Sequence, residues 1–503
     1  MNSPRTVARN TLFLTVGLFS GRLLAVFVFR KMAGTLGASG FGVTTLAIDV
    51  SAILLLVANF GLGTLITREI AGARVMTLPV MWAALRIRLG MGLVCYAALL
   101  VYAWGSGFGA LQRDALLVMG LAVFIEASAM ACDAVLQAHE MVECQMWGQI
   151  ASAVAYFALA IWWLDAGFGV MGVVWANVAG RVVRLLVMVP LMLARTGPWI
   201  MRPAGVERPP SATLKGLARL GWPFFLSTTF GILYYKIDMP ILRAFRDETA
   251  VGVYGLGHRA LDILAMAPGL FATALFPTMV RIAQGDRAGF ERMSERALRY
   301  LHLLALPLTL LFTLVAGPVT MWLAEGETGF VDSVIVFRIV VWGLPFLAAA
   351  NILNRMLITA GRERDFVPIA LVSLALNLAL NVLLIPRWGY FGCSVAAVAT
   401  QAASAALHWH YVRRAGLHLP VARSLVNATA ALAAAWLAAA ALARLAAPGW
   451  GTTWTALPIA AGWTPTLTVI ALTGALYLPA MLATRALVRA DFPVIAQLLR
   501  RGE

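Results

Sequence analysis

The chain reads as an all-α integral membrane protein, with about 14 transmembrane helices in two pseudo-symmetric six-helix halves plus two C-terminal helices. Three observations predict this. First, 61% of the 503 residues are hydrophobic, mean hydropathy is +0.83, and only 12% are charged, where soluble domains carry about 25%. Second, the apolar residues fall into runs near the ~20 residues that span a hydrocarbon core. Third, the runs repeat. Gly169-Val-Met-Gly172 opens one apolar segment and Gly389-Tyr-Phe-Gly392 another, 220 residues apart; Gly42-Val43 and Gly252-Val253 do the same at an offset of 210. Nearly equal offsets are the mark of a duplicated unit.

Taken in order, residues 1–194 hold candidate spans near 10–32, 43–66, 82–104, 115–137, 145–165 and 169–194. Residues 195–216 carry Pro198, Pro203, Pro209 and Pro210 and read as a cytoplasmic linker. Residues 217–412 hold spans near 217–240, 250–280, 299–323, 331–358, 366–386 and 391–412. The 250–280 stretch is long for one straight span, and Pro268-Gly269 is expected to bend it. Residues 413–503 supply two more Ala- and Leu-rich helices, near 421–446 and 464–487, and a cytoplasmic tail. The polar stretch from Arg281 to Arg299 mixes both charge signs and suits a short amphipathic helix at the membrane surface.

A net charge of +16 would point to nucleic acid in a soluble protein. Here the basic residues gather in short loops, and with the N-terminus in the cytoplasm most of them fall on the cytoplasmic side. That distribution sets topology, places both termini inside, and excludes a nucleic-acid partner. The four cysteines lack CxxC spacing and read as small buried hydrophobes, so no metal or redox centre is expected. No HExxH, GxSxG, P-loop or paired loop carboxylate is present, which argues against an enzyme and against direct use of ATP; no cofactor is expected.

Charges placed at mid-bilayer are costly and mark function. Arg22 falls halfway along the first span. Asn177, Arg181 and Arg184 share one face of the sixth, at i, i+4 and i+7 spacing. Arg259 has Asp262 three residues on, Lys236 stands beside Asp238, and Arg338 is near a span end. The acids are Asp49, Glu126, Asp133, Asp238 and Asp262; Glu126, Asp133 and Gln137 form one stripe on the fourth span. Arg22, Arg181 and Arg184 have no acid within helical reach along the sequence. Two roles remain open for them. They can bind phosphate groups through the guanidinium fork, with Arg259 and Asn177 in the same substrate-binding set, or they can pair across helices with Glu126, Asp133 or Asp49 and lock the bundle. Glu126, Asp133, Asp49 and Asp262 are candidates for ion or proton coupling. Asn377 and Asn381 suit interhelical hydrogen bonding.

Leu36-Gly-Ala-Ser-Gly-Phe-Gly42, Asn59-Phe-Gly-Leu-Gly63, Thr67-Arg-Glu-Ile-Ala71 and Val251-Gly-Val-Tyr-Gly255 resemble the bacterial polysaccharide transporter (oligosaccharide flippase) family of the multidrug/oligosaccharidyl-lipid/polysaccharide superfamily, the MATE-like transporters. The resemblance implies a multi-pass protein of the bacterial inner membrane. It would flip an undecaprenyl-diphosphate-linked oligosaccharide for O-antigen, capsule or exopolysaccharide synthesis, by alternating access around a cationic cavity. Membrane lipids, a polysaccharide polymerase and a co-polymerase would be its neighbours. A cation-coupled multidrug exporter and a peptidoglycan-precursor flippase are the alternatives within the same superfamily.

Overall fold

The computed structural model describes residues 4–72, 77–200, 214–419, 421–446 and 463–483. They form helices and short connections only. In order these are α1 (Pro4–Asn59), α2 (Leu62–Gly72), α3 (Thr77–Gly105), α4 (Ala110–Ala138), α5 (Val142–Asp165), α6 (Gly169–Ile200), α7 (Leu214–Lys236), α8 (Asp238–Phe245), α9 (Glu248–Leu264), α10 (Met266–Ala283), α11 (Arg287–Leu314), α12 (Ala316–Leu323), α13 (Ser333–Val340), α14 (Leu344–Thr359), α15 (Phe366–Arg414), α16 (Val421–Ala446) and α17 (Trp463–Ala483). Among the described residues, nine helical stretches are long and apolar enough to cross a bilayer, and the longest run to 41 and 52 residues. This is a multi-pass, all-helical membrane protein.

Two of the longest helices join pairs of expected spans. α1 is interrupted at Gly37 (φ 63°, ψ −176°) and α15 at Gly389 (φ 56°, ψ −133°). Only glycine takes that backbone without a steric penalty, so each pair of spans is connected by one reversed residue rather than a loop. Gly169, the partner of Gly389 in the sequence repeat, also has positive φ, 59°. The bend expected in 250–280 falls at Ala265, between α9 and α10. The cause is Pro268, which cannot donate to the carbonyl of Leu264 and whose ring crowds it.

Two expectations are corrected. The amphipathic stretch from Arg281 to Arg299 is not a separate surface helix. After a turn at 284–286 it becomes the first part of the continuous helix α11, started by Asp286, whose carboxylate accepts from the Gly289 N–H at 2.7 Å. The linker begins later than expected, because α6 runs on to Ile200. Residues 201–213 and the C-terminal tail from 484 lie outside the described residues.

The chain divides into two compact units. The first comprises Met1–Leu256, Trp322–Asp332 and Phe366–Ala396; the second comprises Gly257–Met321, Ser333–Asp365 and Ala397–Glu503. In the first, α1 packs on α3, α4, α5 and α6. Its core includes Leu62, Ile66, Ala84, Val135 and Met188. In the second, α11 packs on α10, α14 and α16, and α16 packs on α17. All four cysteines are buried free thiols, as the apolar reading of them requires.

Candidate functional site

The first unit contains a cavity of about 260 Å³ lined by Gly21, Leu55, Glu126, Gln149, Ser152, Ala153, Tyr156, Asn177, Arg181 and Arg184. Four elements build it. α1 contributes a glycine and a leucine, α4 the carboxylate, α5 a row of polar residues spaced at three and four, and α6 the two guanidinium groups. Gly180 lets α6 approach α5 closely, since a Cβ there would stand 2.9 Å from the Ser152 carbonyl oxygen. That contact holds Asn177, Arg181 and Arg184 against the α5 residues.

The two arginines differ in their bonding. Arg181 donates from Nε to Asn177 Oδ1 at 3.0 Å, the i,i+4 pair that the spacing predicts. Its Nη1 is buried and has no hydrogen-bond partner among the described residues. Arg184 is buried and held on both sides, with Nη1 donating to Glu126 Oε1 and Nη2 to Asp133 Oδ2. For Arg184, pairing across helices is therefore what the structure shows. Arg22 is exposed on α1, beside the cavity residue Gly21 but not itself among the lining residues. Asn177 does line the cavity.

Other expected residues lie elsewhere. Arg259 belongs to the second unit, where it donates to Asp262 Oδ2 at 3.4 Å, while His258 Nδ1 stands 3.7 Å from Asp262 Oδ1. Neither is part of this cavity. Asp49 is buried and accepts from Lys236 Nζ at 3.1 Å. Lys236 thus does not pair with its near neighbour Asp238, because α7 ends at Lys236 and Asp238 starts a new helix. Asp238 instead accepts from Tyr254 (3.0 Å), Asn377 (2.9 Å) and Asn381 (2.8 Å). The two asparagines are interhelical partners, as their spacing suggests, and they converge on an acid that sequence spacing had assigned to a lysine. Arg338 donates to the Thr313 carbonyl at 3.2 Å. Gln137, the third member of the α4 stripe, donates to Gln145 at 3.2 Å. Among the described residues no cluster of His, Cys, Asp and Glu could hold a metal ion.

Sequence reading missed Arg88, assigning it to the cytoplasmic loop charges. It is fully buried in α3. The signal that could have found it is its distance from a helix start: α3 begins at Thr77, so Arg88 lies three turns in.

Comparison with known proteins agrees with this architecture. Residues 7–283 match the family model described as "Polysaccharide biosynthesis protein", and residues 223–383 match the MatE model. The chain is 22% identical over 416 residues to the probable low-salt glycan biosynthesis flippase Agl15 of Haloferax volcanii, covering 81% of this chain and 83% of that protein. It is 26% identical over 197 residues to the probable flippase AglR of the same organism, covering 38% of this chain and 39% of that one. Its fold is similar to that of the lipid II flippase MurJ in an inward closed conformation, with a TM-score of 0.71 at 16% identity, over 95% of this chain and all 100% of that one. It is also similar to the MATE multidrug transporter DinF-BH, with a TM-score of 0.59 at 16% identity, over 82% of this chain and 95% of that one. With a family model spanning more than half of its length, the chain belongs to the polysaccharide biosynthesis protein family of multi-pass membrane proteins.

Proposed function

We propose that this protein is a flippase that carries a lipid-linked oligosaccharide across the membrane for surface polysaccharide synthesis. The observation that carries the reading is the cavity of the first unit, in which Arg181 presents an unbonded guanidinium nitrogen among polar α5 side chains. A cation at that depth is expensive unless a ligand or a counter-ion meets it. A guanidinium that stays charged at any physiological pH and binds two oxygens at once suits a phosphate group. The relatives named as flippases, one of them a glycan biosynthesis flippase, support a glycan as the cargo.

The finer reading is an undecaprenyl diphosphate carrier moved from the cytoplasmic to the outer leaflet of a bacterial inner membrane. Its oligosaccharide would be handed to a polymerase and co-polymerase, and both termini of the protein would be cytoplasmic. Alternating access of two repeated six-helix halves, residues 1–194 and 217–412, would move the headgroup while the prenyl chain stays in lipid. Arg181 and Asn177 would hold the diphosphate, and Arg22 would receive it at the side of the cavity. Glu126 is the coupling candidate that lines the cavity, where it shares Arg184 with Asp133; Asp49 and Asp262 pair with Lys236 and Arg259, which do not line it.

Deleting the gene tests this. The expected result is loss of surface polymer with accumulation of a diphosphate-linked oligosaccharide in the membrane, whose sugars then identify the cargo. Normal polymer together with sensitivity to cationic drugs would instead identify an exporter.

A further inference from the structure

Arg88 is the largest fully buried side chain among the described residues. Its Nε, Nη1 and Nη2 all lack a hydrogen-bond partner there, and so does Asp133 Oδ1. Leaving a buried ion without a partner costs about 3–5 kcal/mol, so a chain that retains one has a use for it.

The packing of α3 on α4 shows what that cation faces. The two helices run antiparallel. A Cβ at Gly92 would meet the Phe124 ring at 3.0 Å, and one at Gly120 would meet Leu99 and Tyr96. Continuing that register toward the start of α3 brings the turn around Arg88 level with the last turns of α4. Helical side chains lean toward the helix N-terminus, so Arg88 leans further toward Cys132 and Asp133. Those are the two groups that act on it electrostatically. Asp133 in turn feels Arg184, Glu126 and Arg88. Arg184 occupies one oxygen of the acid, while the other, Oδ1, and all three Arg88 nitrogens are buried without a hydrogen-bond partner among the described residues.

We propose that Arg88 is a standby counter-ion for Asp133. When Arg184 turns from Asp133 to an anion in the adjoining cavity, Arg88 closes on the carboxylate, so the acid is never left buried without a cation. Arg88 is thus a positioning residue. It touches no cargo, and it lowers the cost of freeing Arg184 to join Arg181 at the anion, both of which line the cavity. The anion half of this proposal rests on the headgroup reading of the cavity; the exchange of counter-ions does not.

Two experiments on the purified full-length protein in lipid nanodiscs test it. The first is a thermal cycle of wild type, Arg88→Met, Arg184→Gln and the double variant. Arg88→Met alone should leave Tm unchanged or raise it, because it removes an unbonded buried charge. In the Arg184→Gln background the same change should lower Tm by several degrees, because Arg88 then holds Asp133. Equal loss in both backgrounds would show that Arg88 is packing only and would overturn the proposal. The second keeps Arg184 in place and so does not depend on recovering the Gln variant. Inorganic pyrophosphate binding is measured by calorimetry for wild type, Arg88→Met and Arg88→Met/Asp133→Asn. Arg88→Met should weaken binding at least about tenfold, and neutralising Asp133 should restore it. Weakening without restoration would overturn the exchange. Should wild type fail to bind pyrophosphate, the headgroup reading fails, and the thermal cycle still decides the counter-ion exchange.

Discussion

At the scale of single residues, two arginines one turn apart on α6 are expected to behave differently. Arg181→Ala removes a guanidinium that no acid among the described residues holds by hydrogen bond. Polysaccharide export should fall at least about tenfold while protein in the membrane stays level, and Arg181→Lys should restore it only in part because an ammonium lacks the planar fork. Quantifying surface polymer against membrane protein checks this. Arg184→Ala leaves Glu126 without its cation and Asp133 dependent on Arg88 alone, which should cost about 3–5 kcal/mol and deplete folded protein. Adding Glu126→Gln and Asp133→Asn should return the protein to the membrane, as read by immunoblot and size-exclusion chromatography. Such pairings were legible only where they are local. The spacing of Asn177 and Arg181 fixes their bond because both ride one helix. The partners of Arg184 and Lys236 depend on how helices cross, and periodicity says nothing about that. Asp238 shows the limit most clearly: two residues from Lys236 in sequence, it is separated from it by the break between α7 and α8.

At the scale of elements, apolar runs located the helices, and glycines located their joints and closest crossings. Gly42 and Gly252, singled out by the 210-residue repeat, meet each other in the first unit. A Cβ on Gly42 would stand 1.9 Å from the Glu248 carbonyl oxygen, and one on Gly252 would stand 1.9 Å from that of Ala38. The contact is reciprocal, since Ala38 and Glu248 are themselves 210 residues apart. Small residues at such crossings let helix backbones touch where the hydrophobic effect cannot drive them together. Replacing either glycine by Leu should abolish the monodisperse folded species in fluorescence-detected chromatography, through overpacking of about 1–3 kcal/mol or more. Gly63→Ala, at a helical position with no atom near the added methyl, should leave it intact. The continuity of α11 could not be read from sequence, because charge mixing in its first turns resembles a surface helix until the buried Phe290 and Ser294 are seen on the same stretch.

At the scale of the whole molecule, composition and run length sufficed for a multi-pass helical protein, and family membership agrees with it. The reciprocal glycine contact supports the proposed two-half repeat, whose equivalent residues ought to respond alike to substitution. Topology is checked by single-cysteine labelling in intact cells, in a background with the four native cysteines replaced. Cysteines placed at Arg287 and at Arg413 should react with a membrane-impermeant maleimide only after lysis if both lie in the cytoplasm. Labelling of either in intact cells would contradict the orientation.

The most direct test of flipping is reconstitution. Purified protein is placed in liposomes carrying a diphosphate-linked oligosaccharide, extracted from the deletion strain, in the inner leaflet, and the sugar is followed as it becomes accessible to an external glycosidase. Wild type should expose the inner pool within minutes, and Arg181→Ala should expose it no faster than protein-free liposomes. Exposure by Arg181→Ala at the wild-type rate would contradict the cationic cavity as the carrier of the headgroup, and no exposure by wild type would contradict the flippase itself.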